Sequence, residues 1–594
     1  MKHIKFITPL RIIAIIVLII PFLVRNPYWL NLICLLIIYI LVTIGLNMLL
    51  GYAGQASLGH GAVYGIGAYT SVILVANYGF PFLIGFVGSA MIPAIVGLLL
   101  SLIAFRLHGF YLAMVTMAFA IIIERVLVNF DSLTRGAVGF VNIPGASFGA
   151  WNLSFTSYYF VLAFFLISGT WIIKNLIKSD FGRVCKAIHF NEVTAGCLGV
   201  NVYKLKIQLF VISSIFAGIG GMLYAHLTKY ISPDTFSLEI SFFFTLVVIV
   251  GGMGSFWGPF LGSCALLLLP ECLHVFQEFK LLIYGFLLLL CIVFLPKGLI
   301  SLVDKFFTKK ISGTDQSLRG VSTGSLEGIQ IPKVKGGKEI LMVCDISKHF
   351  GGITALNGVT LNVREGNIHG LIGPNGSGKT TLLDVISSLY KPDSGQIFFK
   401  EQELTHLSPH RVASLGIGRT FQNLSIYPDL TVLENIMLGF HTVQKAGLFS
   451  KSFNLPQQRR EEEMMKDFAS SLAAFVGLEG NLFNTAETLK HNQRRFLEIA
   501  RALCLKPSLI LLDEPGAGLA TDELLFLKKL ITRIRDMGIS LLIIEHHIDV
   551  IVDVSNVISV LNYGVKIAEG PPAEIIKNQD VIEAYLGIME NPVA

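Results

Sequence analysis

Apolar residues run in long blocks through the first half of this chain and in short blocks, broken by charge, through the second. Blocks rich in Leu, Ile, Val, Phe, Gly and Ala fall at about 8–24, 30–50, 62–77, 81–105, 109–129, 156–177, 207–227, 236–250, 259–273 and 281–301. Several match the roughly 20 apolar residues that a helical bilayer crossing takes, and others are shorter. They predict an α-helical domain of about ten spans over residues 1–303. Beyond about 338 the pattern changes. Ile368–Ile372, Leu509–Leu512 and Leu541–Ile544 are short apolar runs that read as buried strands, and Leu382–Leu389 reads as a helix. The second half is thus predicted to be an α/β domain over 339–594. Between the halves, 304–338 is dominated by Ser, Thr, Gly, Lys and Gln without apolar periodicity, a flexible linker.

Two glycine-rich breaks interrupt the apolar half. The first is Gly51-Tyr52-Ala53-Gly54-Gln55-Ala56-Ser57-Leu58-Gly59-His60-Gly61, and the second runs from Gly251 to Pro259. Irregular backbone at membrane depth requires surrounding protein or a water-filled cavity. Asn47, Gln55, Ser57 and His60 therefore either line a pathway or are hydrogen-bonded to neighbouring helices that pack through glycine. The second break is either a tight turn between crossings or a gap between half-helices.

Composition agrees with the pattern. The mean hydropathy of +0.67 over 594 residues is that of a membrane protein. The net charge of +6 is mild and many cations flank apolar blocks, so nucleic-acid binding is not indicated. The 8 cysteines show no CxxC spacing and read as small core residues. Lys2, Lys5 and Arg11 precede the first block, but Arg25 and Asn26 follow it without a small-residue cleavage pattern, so it reads as a retained span.

The chemistry lies in the second half. Gly373-Pro374-Asn375-Gly376-Ser377-Gly378-Lys379-Thr380, followed by Thr381, fits GxxxxGK[ST] between a predicted strand and a predicted helix. Glycines let backbone N–H groups approach phosphates, and a helix N-terminus favours their charge. Lys379 is placed for the β- and γ-phosphates of ATP and the Thr380 hydroxyl for Mg²⁺. Asp513 and Glu514 end an apolar strand. The first suits the Mg²⁺ shell, and the second suits orienting or deprotonating an attacking water. Gln422 can sense metal and γ-phosphate, and His546, after the Leu541–Ile544 strand, can contact the γ-phosphate.

Such a domain works in the cytoplasm, and the N-terminal cations place the start there too, so the crossings must be even in number. Ten crossings put Arg106, Lys174, Lys178, Arg183, Lys186, Lys204, Lys206 and Lys297 inside and leave only Arg25, Arg135, Lys229 and Lys280 outside.

The order Lys379, Gln422, Asp513-Glu514, His546 resembles the ABC ATPases over about 340–590. The resemblance implies that Phe350 stacks on adenine and that about 430–500 is a helical subdomain. More narrowly, Gly45–Gln55 with Leu58-Gly59-His60, Gly109–Thr116 and Gly251–Pro259 resemble permeases of branched-chain amino acid importers. Phe350-Gly351-Gly352, Gly418–Asn423 and Glu583-Ala584-Tyr585-Leu586-Gly587 are similar to that family's ATPase. The resemblance implies an importer in the cell (inner) membrane with permease and ATPase fused. Its implied partners are a second permease subunit, a second ABC ATPase subunit and an extracytoplasmic substrate-binding protein. In such permeases the loop at 174–206, with Glu192, Ala195 and Gly199, docks on the ATPase. A basic loop held near anionic membrane lipid is the alternative. Ala187–Val200 reads as one short helix ended near Gly199.

Two stretches depart from the family. The signature, usually near LSxGQ, stands as Leu489-Lys490-His491-Asn492-Gln493, and Ala520-Thr521 stands where Asn or Asp and then Pro are usual. These changes leave open a regulatory ATP-binding membrane protein with weak hydrolysis, and the cargo could instead be urea or a short amide.

Overall fold

The computed structural model describes residues 9–24, 26–104, 109–148, 151–272, 297–302 and 337–586, with isolated positions between 282 and 295. The chain divides into two compact units. The first takes residues from 1–189, 202–317 and 451–453, the second from 190–201, 318–450 and 454–594.

In the first unit each of the first nine apolar blocks contains a helix, from Pro9–Leu23 to Gly258–Cys272. Most of the tenth block, the linker at 304–338 apart from its last two residues, and the cations Arg25, Arg106 and Lys280 lie outside the described residues. Six helical segments among the described residues are long and apolar enough to cross a membrane, the longest being Val202–Thr228. Ile13–Leu23 and Gly258–Leu268 are apolar but shorter. Six full-length candidates among the described residues do not confirm the expected ten. His60–Val72 starts after the first break and continues as a π-helical stretch, Ile73–Asn77.

The helix Val202–Thr228 packs against Pro27–Asn47, His60–Val72 and Phe82–Ala104. Small residues permit the close approach. A Cβ on Gly67 would run into the Gly218 backbone, and one on Gly221 into the Tyr64 carbonyl. The outer face of Phe82–Ala104 leaves Leu83, Val87, Met91, Ile95 and Leu99 exposed, as a lipid-facing surface would be.

Both breaks turn out to be packing devices. Leu238–Gly251 and Gly258–Cys272 fold back on each other, with Gly251 against Gly258 and Gly262 against Val247, so the second break is a tight turn. Asn47 ties the first break to it. Its Nδ2 donates to Ser255 O at 2.8 Å, and its Oδ1 accepts from Gly254 N–H at 3.0 Å. His60 lies between Ser57 Oγ at 3.1 Å and Ser213 Oγ at 2.6 Å, and Gln55 donates to Ala53 O. These bonds favour the packing role over the pathway role for the polar residues of the first break. Lys451–Phe453 also belongs to this unit. Lys451 Nζ is 2.6 Å from Asp180 Oδ2, a buried ion pair.

The second unit is built on a six-stranded sheet. Its order is Ile417–Arg419, Leu509–Asp513, Ser540–Ile544, Ile368–Ile372, Val557–Asn562 and Val565–Gly570. The first five are parallel and the last is antiparallel. Four of the five parallel strands are buried at every position, which is why three of them read as mainly apolar runs. A second, antiparallel sheet of four strands carries Glu339–Phe350 and Ile353–Arg364. Helices Val432–Met437, Pro456–Phe475 and His491–Cys504 pack together between about 430 and 505.

Asn47→Ala removes both bonds between the two breaks and leaves buried backbone groups short of a partner. Thermal unfolding of the purified chain should show a loss of about 1–3 kcal/mol. An unchanged melting temperature would mean that this bridge carries no load.

Candidate functional site

Parallel strands deliver their carboxyl ends, and the loops that follow them, to one edge of the sheet. The phosphate loop leaves Ile368–Ile372 there. Asp513 ends the adjacent-but-one strand, and Glu545-His546 follows the strand between them. Gly378 caps the helix Lys379–Ile386 at φ +97°, and a Cβ there would strike the Ala355 carbonyl. Asn375 and Gly376 are exposed, Ser377 is buried, and Thr380 and Thr381 sit half-buried in the first helical turn. The Lys379 ammonium donates to Gly373 O and Pro374 O, each at 2.8 Å. Burial pushes its pKa down from the ordinary 10.5. This helix begins three residues earlier and ends three residues sooner than the Leu382–Leu389 read from apolar spacing. The reason is local: Ser387 turns its hydroxyl onto Leu383 O, and Ser388 adopts φ +58°.

The acidic centre is built around two carboxylates of opposite character. Asp513 is 1% exposed and neither of its oxygens has a hydrogen-bond partner among the described residues. Desolvation raises its pKa from 3.8 to about 6, against the opposing pull of Arg419, whose guanidinium lies 3.8 Å away. A raised carboxyl pKa favours the fold below about pH 4, a share lost as pH rises through about 6. Two bare, buried oxygens on an acid are the arrangement that a divalent cation satisfies. Glu514, by contrast, is shared. Its Oε1 accepts from Gln422 Nε2 at 3.0 Å and from His546 Nε2 at 2.9 Å. Its backbone stands at φ +49°, an uncommon conformation for a non-glycine residue and one that recurs at functional sites. Gln422 and His546 are exposed, while Glu514 itself is buried at 8% exposure, so the carboxylate lies beneath two solvent-facing partners at the sheet's edge.

Two residues to which the sequence assigns no role, Arg419 and Glu545, complete this centre. Arg419 Nη2 is 2.6 Å from Asp384 Oδ1 and Arg419 Nη1 donates to Ser387 Oγ, so it braces the helix after the phosphate loop as well as facing Asp513. Glu545 is buried and accepts from the Gly516 N–H, which holds the turn after Glu514. Phe350 lies edge-on to Tyr390 with ring centroids 5.1 Å apart, and both rings remain partly exposed.

The altered signature opens the helix His491–Cys504, with Lys490 as its exposed N-terminal cap and Leu489 buried behind it. Gln493 Oε1 accepts from the Lys490 N–H at 3.0 Å. Asn492 is held: its Nδ2 donates to Glu523 Oε1 at 2.6 Å, and its Oδ1 accepts from the Gln493 N–H. Glu523 also accepts from the Ala520 N–H, so the second altered stretch, Ala520-Thr521, shares this knot.

The second unit includes 190–201. Two helices stand where one was expected, Asp180–Phe190 and Glu192–Cys197. Asn191 divides them by accepting from the Val193 and Thr194 N–H groups, which caps the second helix. Glu192 is half-buried and Ala195 fully buried; Gly199 takes φ +82°, with the Thr442 side chain where a Cβ would go. Thr194 Oγ1 lies 2.6 Å from Ser425 Oγ, three residues beyond Gln422. Ser425 N–H in turn donates to the buried Glu498, and Arg501 donates to Ser425 O. Arg495 donates to the Phe421 carbonyl, so the Gln422 loop is gripped by the helix that the signature opens.

Comparison with known proteins places both halves. A branched-chain amino acid transport system permease-component family matches residues 28–292, and an ABC transporter family matches 356–517. A branched-chain amino acid ATP-binding cassette transporter family matches 565–589. The high-affinity branched-chain amino acid transport ATP-binding protein LivG of Salmonella typhimurium is 39% identical over 249 residues, which is 42% of this chain and 98% of that protein. The corresponding BraF of Pseudomonas aeruginosa is 37% identical over 251 residues, 42% of this chain and 98% of BraF. A solved nucleotide-free cassette from an ABC transporter is 33% identical, covers 42% of this chain and 99% of its own, and superposes with a TM-score of 0.37.

Arg419→Ala strips the shared cation from Asp384 and Asp513. The variant should lose about 3 kcal/mol in denaturant unfolding, the scale of breaking a buried pair. A loss under about 1 kcal/mol would show that solvent already screens these acids.

Proposed function

We propose that this chain, which belongs to the branched-chain amino acid ABC transporter family and carries that family's permease and ATP-binding components in one polypeptide, imports branched-chain or related hydrophobic amino acids. It is an ATP-hydrolysing transporter. The observation that carries the mechanism is the grip of Gln422 and His546 on a single oxygen of Glu514. An attacking water bound there gives its proton to the carboxylate, while Gln422 reports the γ-phosphate and His546 steadies it. Lys379 turns its ammonium from loop carbonyls to the more strongly charged phosphate oxygens. Thr380, Asp513 and Gln422 would hold Mg²⁺, which would supply charge neutralisation to the phosphates. Phe350 offers the adenine its ring face.

Transport requires the ATP site to reach the permease, and residues 190–201 carry that connection. Thr194 beside Ser425 puts the Glu192–Cys197 helix three residues from Gln422, so movement of the Gln422 loop displaces it. Gly199→Leu should leave nucleotide binding intact and abolish uptake that depends on hydrolysis, because the added side chain meets Thr442. Uptake at the wild-type rate in this variant would count against the docking role.

The two ATP sites are unequal in this reading. ABC cassettes pair head to tail, each nucleotide lying between one phosphate loop and the partner's signature. The signature of this chain is compromised: Asn492 is engaged by Glu523, and Lys490 presents a long cation in place of a small hydroxyl. The chain therefore pairs with a separate ATPase subunit whose signature completes the Lys379 site, with a second permease and with an extracytoplasmic binding protein. The assembly sits in the cell membrane with the cassette in the cytoplasm.

Uptake of labelled leucine, isoleucine and valine by cells carrying the wild-type chain or Glu514→Gln tests the function. The variant should bind ATP with wild-type affinity yet lose at least about tenfold in uptake, as removal of a catalytic base does. Equal uptake by both would remove Glu514 from the mechanism. Proton competition offers an independent check. With the Asp513 pKa at about 6, Mg²⁺ affinity in the presence of ATP should be flat above pH 7 and fall with acidification below 6. A constant affinity down to pH 5 would exclude Asp513 as the ligand.

A further inference from the structure

The last described helix, Gln579–Leu586, lies within the segment matched by the C-terminal family model, for which the mechanism above has no use. Asn578 caps it by accepting from the Asp580 and Val581 N–H groups. Val581 is buried in the main core of the cassette. Tyr585 stands four residues on, one helical turn along the same face. Its hydroxyl reaches the beginning of the phosphate loop and accepts a hydrogen bond from the Gly373 N–H at 2.9 Å.

That N–H has a particular position. The strand Ile368–Ile372 ends one residue before it, so Gly373 has left the ladder. Gly373 stands at φ +152°, with the Leu561 carbonyl and Ser377 Oγ where a Cβ would sit, so the backbone has no room to shift on that side. The carbonyls of Gly373 and Pro374 receive the Lys379 ammonium. One short stretch of backbone is thus held from its N–H by Tyr585 and from its C=O by Lys379.

We propose that Tyr585 is a positioning residue for ATP: the C-terminal helix clamps the first amide of the phosphate loop and pre-organises the loop for the β- and γ-phosphates. The ring is partly exposed, so its packing alone does not account for the contact. When Lys379 leaves its carbonyl partners for phosphate, the Tyr585 bond is what keeps the entry of the loop fixed. Loss of the hydroxyl then weakens nucleotide affinity, while the groups around Glu514 are untouched.

The inference rests on residues 373–380 binding ATP, so Lys379→Ala accompanies the test on the full-length chain. A fluorescent ATP analogue gives the affinity, hydrogen exchange of the peptide spanning Gly373 gives the local clamp, and thermal unfolding gives the fold. Tyr585→Phe keeps the ring. It should weaken the analogue about three- to tenfold, the size of one neutral hydrogen bond. It should also speed exchange at Gly373, leave the melting temperature unchanged and keep the rate of hydrolysis at saturating ATP within about twofold of wild type. Tyr585→His, which restores a polar atom on a ring, should recover part of the affinity. Unchanged affinity and exchange in Tyr585→Phe, with binding lost in Lys379→Ala, overturns the clamp alone. Retained binding in Lys379→Ala overturns the ATP-site reading beneath it.

Discussion

The cassette depends on keeping a carboxylate where water cannot reach it. Asp513 is buried, its oxygens lack hydrogen-bond partners among the described residues, and its pKa is driven up to about 6. Such a group is costly unless something compensates it. Arg419 compensates in part, and it does so from a strand end that also grips Asp384 on the helix following the phosphate loop. The same guanidinium therefore sets the distance between phosphate loop and acid. The parallel sheet makes this possible, since strand order alone places the phosphate loop, Asp513 and His546 along one edge.

From that edge, restraint passes outward through backbone contacts. Arg495 holds the Phe421 carbonyl, Glu498 holds the Ser425 N–H, and the Ser425 hydroxyl meets Thr194. Gln422 thus sits on a loop pinned on both sides of it. In the proposed mechanism, a loop pinned at its flanks and free at its centre passes a change at Gln422 to its neighbours. This is a physical route for coupling that needs no long rigid lever.

Much of this was readable in the sequence, and the gaps have identifiable causes. Ile368–Ile372 and Leu509–Asp513 announced themselves because strands buried on both faces are mostly apolar, here interrupted only by His369 and Gly370 in the first and ended by Asp513 in the second. The phosphate loop and the Asp513-Glu514 pair were legible because their spacing is chemical. Arg419 stood in a recognised stretch, yet its role was hidden: its partner Asp384 is 35 residues away, and one-dimensional spacing cannot pair them. Tyr585 was hidden for the same reason. The break at Asn191 carried a local signal, an N-cap residue ahead of Glu192, which the apolar pattern across 187–200 masked. In the apolar half the helices were visible but their lengths were not, because glycine both ends helices and lets them pack closely. Only contacts such as Asn47 to Gly254 and Ser255 separate those two uses.

The central claim is that hydrolysis at the Glu514 centre drives amino acids across the membrane. Its most direct test is leucine accumulation in proteoliposomes holding the assembled complex, with ATP supplied only on the cassette side. The account predicts accumulation that requires ATP, stops when Mg²⁺ is chelated and proceeds in step with phosphate release. Leucine movement that continues at the same rate without ATP or Mg²⁺ would contradict it.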